Sequence, residues 1–195
     1  MDIATRIDLL YEALGRVRAK TPPRIPLVKT QMADGSVSLR TDFSGGQSKQ
    51  AMHLDCVALV DAIASLKDHL RIWCEENARQ FHGDQLINNN RDVAIVHDLW
   101  NMNKHSKLNR KPRSGSHPRC QNFRRLLGIS GGQEAMWIIS TDGADMKQAK
   151  GTGEFVTTAD VVDENGEDLG RLDEIAKRAV GAWSEVISAA TGKPV

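Results

Sequence analysis

Apolar residues recur at helical spacing in several stretches of the chain. Over residues 2–20, Ile3, Ile7, Leu10, Leu14 and Val17 follow one another at steps of three and four. That spacing puts them on one helix face, which ends at the breaker Thr21-Pro22-Pro23. From Ser48 to Arg79, Val57, Val60, Ala64, Leu70 and Trp73 are joined by Leu59, Ile63 and Leu66. This apolar face is wide enough to be covered on two sides, as in a central helix. A third helix is predicted over 91–108, capped by the Asn88-Asn89-Asn90 cluster, with Val93, Val96 and Trp100 as its core stripe. A last one, about 169–189, aligns Leu172, Ile175, Ala176, Ala179, Trp183 and Ile187.

Alternating patterns are fewer. Residues 25–31 and 36–43 flank Ala33-Asp34-Gly35, and Val37, Leu39 and Thr41 alternate, which predicts a hairpin. Residues 135–141 and 154–162 are expected as strands separated by a polar loop over 142–153, with a turn at Asp163–Gly166. The stretch 109–118 reads as a basic loop whose cationic character continues to residue 125. The expected architecture is therefore mainly α: a helical bundle with one or two small β-hairpins, in a single domain of 195 residues.

Composition and charge narrow the function. Cys56, Cys74 and Cys120 form an odd set without CxxC spacing, which fits buried thiols in a reducing compartment. His53 and Cys56 lie three apart and could share a helix face, yet without a second ligand pair no metal site is expected. The start, Met-Asp-Ile-Ala-Thr-Arg, reads as no signal peptide, and no run reaches the roughly 20 apolar residues of a membrane span. A cytoplasmic protein without membrane contact is expected. The formal charge of +1 conceals an asymmetry. Between Asp98 and Glu134 the chain carries eight Lys and Arg and no acid, whereas acids dominate from Glu134 on. An anionic, phosphate-bearing partner suits the first segment, and so does pairing with the chain's own acidic half.

The candidate chemistry lies on the third helix. His97, Asn101, Lys104, His105 and Leu108 follow at steps of four, three, one and three, so they form one strip, with Asp98 beside it. An amide or carboxylate near a histidine can fix its tautomer, and a lysine can hold a phosphate oxygen. The same residues can equally form a satisfied polar network that pins helices together, with Asp68 contributing from the second helix. Gly128-Ile-Ser-Gly-Gly132 lacks both the Walker lysine and the GxSxG order, so neither nucleotide hydrolysis nor acyl transfer is indicated, and no cofactor is expected.

Leu66-Lys67-Asp68-His69-Leu70, Asp98-Leu-Trp-Asn-Met-Asn-Lys-His-Ser-Lys-Leu108 and Pro112-Arg113-Ser114 resemble the LKDxL and DLxNxxKHxKL segments of a family of bacterial and phage proteins. The resemblance covers about residues 50–114 and implies a fold rather than an activity. More remotely, the chain resembles the HEPN helical-bundle superfamily, which implies a HEPN-like bundle and a homodimer. Ribonucleases of that superfamily carry Arg-x4-6-His at a dimer interface and cleave RNA without metal. Arg91 to His97 fits that spacing, and so does Arg110 to His117. If the chain is such a nuclease, His97 or His105 would remove the proton of a 2′-hydroxyl and Arg91 or Lys104 would stabilise charge on the phosphate, with Asn101 beside them on the strip and Lys107, Arg110, Lys111, Arg113 and Arg119 of the basic segment contacting RNA. The rival expectation is a non-catalytic binding or structural module whose Asp-Asn-His strip pins helices.

Overall fold

The computed structural model describes residues 3–21, 24–105, 111–130, 136–140, 145–150 and 152–192. In chain order the elements are α1 (Ile3–Val17), β1 (Arg18–Lys20), β2 (Arg24–Pro26), β3 (Val28–Gln31), β4 (Val37–Arg40), α2 (Lys49–Glu76), α3 (Gly83–Asn89), α4 (Arg91–Lys104), β5 (Arg119–Ser130), β6 (Met136–Ser140), β7 (Asp145–Lys150), β8 (Thr152–Val162), β9 (Asp168–Arg171) and α5 (Leu172–Thr191).

Helix α2 is the axis of the packing. Ser48 caps its start, the Oγ accepting the Ala51 N–H at 3.1 Å. Leu59, Val60, Ala62, Ile63, Ala64, Ser65 and Leu66 are all buried, so more than one face is covered, as the width of its apolar stripe predicted. It packs against α1, α4 and α5 and against strands β5 and β8. Trp183 of α5 is fully buried in the same core, while Trp73 and Trp100 pack against it from the rim.

The β structure overturns the expectation of a mainly α, HEPN-like bundle with one or two hairpins; the fold is α+β. Strand β8 is the centre of an antiparallel sheet. It pairs along its length with β5, while its other edge is shared by β1 at Glu154–Val156 and β9 at Asp160–Val162. A second antiparallel sheet runs β2-β7-β6 over a small core of Ile25, Met146 and Phe155. The β3-β4 hairpin sits where the sequence places it, with Gly35 at φ 83° in its turn and the Asp34 carboxylate accepting from the Ser36 N–H and Oγ.

The missing strands share physical causes. β5 was expected in part as basic loop, because a bulge breaks its period of two. Cys120 opposes Val161, yet Arg124 opposes Thr158, so Asn122 and Phe123 together face Ala159. β7 lies where a polar loop was expected, and of its described side chains only Met146 is buried, so it carries almost no apolar signal. β1 continues the chain directly from α1 and is too short to show an alternation of its own. Among the described residues no helix is long and apolar enough to cross a membrane.

Candidate functional site

Helix α4 starts at Asn90, whose Oδ1 accepts the Val93 N–H at 3.1 Å. Every residue from Val93 to Leu99 is buried, because α2, α3 and α5 all pack on this helix. The burial includes His97 and Asp98, which are 4% and 2% exposed. Burying such groups demands partners. The Asn101 amide lies 2.9 Å from His97 Nδ1 and donates to the His97 carbonyl at 2.8 Å. With the amide donating to the ring as well, Nδ1 accepts and the ring proton is left to Nε2. Asp98 Oδ2 accepts both the Ser114 N–H at 2.7 Å and the Ser114 Oγ–H at 2.8 Å. A carboxylate on α4 thereby holds the turn that leads to β5.

The predicted catalytic residues do not converge within one chain. Arg91 is exposed at the start of α4; six residues at about 100° each put it roughly 120° around the helix from His97. Lys104 is exposed and its Nζ sits 3.6 Å above the Trp100 ring, a cation-π contact. His105 is the exposed C-cap of α4, its backbone N–H donating to the Asn101 carbonyl. Within this set, the Asn101 side chain makes its hydrogen bonds to His97, and His105 meets Asn101 through its backbone N–H. The link between α4 and α2 runs instead through Trp100 Nε1, which donates to Asp61 at 2.8 Å; Asp68 pairs with Arg71 of its own helix.

The basic segment is partly neutralised by the protein itself. Arg113 and Lys67 both reach Asp84, at 3.3 and 3.0 Å. Arg124 pairs with Asp160 at 2.6 Å, and that hydrogen bond, helped by one from Asn122, holds the Asp160 carboxyl below its ordinary value. Glu164 accepts the His117 N–H at 2.7 Å, and Arg125 donates to the Ser44 carbonyl at 3.1 Å. Lys107 and Arg110 lie outside the described residues. Among those described, Lys111 and Arg119 are exposed and form no ion pair.

Arg119 stands at the rim of a cleft of about 210 Å³ where α2, the end of α4 and the start of β5 meet. Its floor is Cys56, Val60, Leu99, Met102 and Cys120, and Asn103 shares the rim with Arg119. One wall is a pair of rings, His53 and Phe123, with centroids 4.5 Å apart. The bulge makes this wall. In an unbroken strand Cys120 and Phe123 would point to opposite faces; the extra residue, with Asn122 at φ 53°, lets both line the cleft. Burial pushes the Cys56 and Cys120 thiols up to about 12, so both stay protonated near neutral pH and the floor is unreactive. The sequence does not mark this cleft as a site: His53 draws notice there only as a metal ligand candidate, and nothing local to Phe123 says that it meets His53.

No family model, curated protein or solved structure matches the chain.

Proposed function

We propose that this protein is a non-catalytic binding module that takes one nucleotide of a single-stranded RNA in the cleft between α2, α4 and β5. The observation that carries the reading is the composition of that cleft: an apolar floor, a wall of two rings tilted against each other and, at the rim, one arginine without an ion pair among the described residues. A base has a flat apolar face for the floor and the rings, and its phosphate is the natural counterion of Arg119. Asn103 supplies amide groups that can hydrogen-bond a base edge. A long phosphate track is disfavoured, because Arg113 and Arg124 are already paired. Cleavage is disfavoured because His97 is 4% exposed and Arg91 points elsewhere on α4. The Arg91 and His97 pairing that ribonuclease chemistry implies would have to be completed by a second copy of the chain.

The test is fluorescence anisotropy of a labelled single-stranded RNA in EDTA, with the RNA recovered and its ends analysed. Base stacking is worth about 1–3 kcal/mol, so Phe123→Ala is expected to weaken binding at least about fivefold. Arg119→Ala is expected to weaken binding and to flatten the log K against log salt slope by about 0.7, one phosphate's share on a single strand. The wild type and His97→Ala/His105→Ala are both expected to leave the RNA intact. Histidine-dependent products with cyclic-phosphate ends, accompanied by a dimer in sedimentation, would instead establish a nuclease. Absence of binding at low salt overturns the module reading.

A further inference from the structure

A roomier cavity, about 480 Å³, lies at the other end of α2, between that helix and α5. It exists because small side chains replace bulky ones where the two helices end. Leu70 and Cys74, one turn apart on α2, form one wall; Val186 and Ala189 on α5 form the other. Cys74 is held inward, its thiol directed at the Gln80 carbonyl 3.7 Å away, and burial raises its pKa, so it contributes apolar surface rather than a nucleophile. The backbone closes over this end in a fixed turn. The Arg79 N–H donates to the Cys74 carbonyl at 2.8 Å and the Ala78 N–H to the Glu75 carbonyl at 3.4 Å, with Ala78 at φ 51°. That is the paired hydrogen-bond pattern of a helix ending on a left-handed residue, and it delivers Arg79 to the cavity mouth. Glu185 stands at the same mouth from α5. Neither charge is ion-paired, with each other or with any other described residue.

Arg79 and Glu185, without ion pairs at a largely apolar cavity that Gln80 and His82 also line, complement a ligand that carries both charges beside an apolar body. The geometry points to a free α-amino acid with a branched aliphatic or aromatic side chain, its carboxylate on Arg79, its ammonium on Glu185 and its side chain against Leu70, Cys74 and Val186. The volume falls in the range of about 300–1,000 Å³ usual for small-molecule sites. The presence of both charges selects against simple fatty acids and simple amines, each of which would leave one of the two charges unanswered. This site shares no residue with the RNA cleft, so each reading stands or falls alone.

Calorimetry of the full chain with L-leucine, L-phenylalanine and L-tryptophan tests the assignment, with 4-methylpentanoate and 3-methylbutylamine as single-charge controls. At least one amino acid is expected to bind, and each control at least about tenfold more weakly, equivalent to about 1.4 kcal/mol. Arg79→Ala and Glu185→Gln are each expected to reduce the amino acid's affinity by a similar factor. Ala189→Leu, at an exposed helix position where the fold tolerates it, fills the cavity and should abolish binding while the melting temperature holds. The inference is overturned by no heat from any of the three amino acids up to about 10 mM. It is equally overturned by controls that bind as well, or by affinity that survives Ala189→Leu in a folded protein.

Discussion

Replacing Asp98 by alanine separates the two meanings of the α4 strip. In the folded protein one carboxylate oxygen receives two hydrogen bonds from Ser114, at 2.7 and 2.8 Å, and the side chain is 2% exposed. Hydrogen bonds to a charged group contribute about 1.5–3 kcal/mol each. Two such bonds set an upper bound near 6 kcal/mol, but Ser114 is only half-buried, so water can replace part of what is lost, and removing a buried charge returns some desolvation energy. The expected net loss is about 2–3 kcal/mol. In a chain of this length that lowers the melting temperature by about 5–10 °C. Ser114→Ala removes only the hydroxyl bond and should cost about 1 kcal/mol. Urea denaturation of wild type, Asp98→Ala, Ser114→Ala and the double variant reads the coupling directly, since a shared interaction makes the double variant less damaging than the sum. Additive losses, or an Asp98→Ala protein within about 0.5 kcal/mol of wild type, would refute the tether.

Three further outcomes follow from particular residues. Ala78 occupies the left-handed position after α2 at φ 51°, where an L side chain is disfavoured by about 1–2 kcal/mol. Ala78→Gly relieves that strain but raises unfolded-state entropy, so a net stabilisation of about 0.5–1 kcal/mol is expected in urea titration, and destabilisation would contradict the strained cap. Cys56 and Cys120, held up to about 12 by burial, should resist alkylation by iodoacetamide at pH 7.5 in the native protein and react faster once it is unfolded; rapid native labelling would mean that these thiols are not held protonated. Asp160 is held below its ordinary 3.8 by Arg124, so the stability it contributes is present above that value and fades as pH falls below it. Asp160→Asn should therefore be less stable than wild type at pH 7, with the gap closing below about pH 4, and a gap independent of pH would remove the ion pair from the account.

Local periodicity made the helices legible and long-range pairing kept much of the sheet hidden. Leu59, Ile63, Leu66 and Leu70 state their own helix in the sequence, because each lies within a turn of the next. The contact of Asn101 with His97 is legible on the same ground, being four residues along one face. Nothing at that range says what covers the face, so the burial of His97 and Asp98 and the arrival of Ser114 sixteen residues later were not legible. The hairpin at Asp34-Gly35 was visible because its turn chemistry is local. β5 was not, since its partner β8 is supplied from far along the chain and Asn122 interrupts its alternation. Two of the arginines that gave the segment its basic character, Arg124 and Arg125, are β5 side chains that Asp160 and the Ser44 carbonyl receive.

Two polar anchors bracket the segment that lines the cleft, and both suit the binding role proposed for it. At one end Asp98 fixes Ser114; at the other Asp160 takes Arg124 at 2.6 Å and Asn122 at 3.0 Å, locking the bulge. Between them lie Pro118, Arg119, Cys120 and Phe123, all of which line the cleft. A segment tied at both ends loses less conformational freedom when a ligand arrives, so part of the ordering that binding demands is already met by folding. Asp160 takes Arg124 and Asp84 takes Arg113, two cations that a phosphate track would use, and Arg119 is left at the cleft without an ion pair among the described residues. On the proposed binding role, Asp98 and Asp160 would keep this wall rigid, while the pairing of Arg113 with Asp84 and of Arg124 with Asp160 would limit the cleft to a single phosphate.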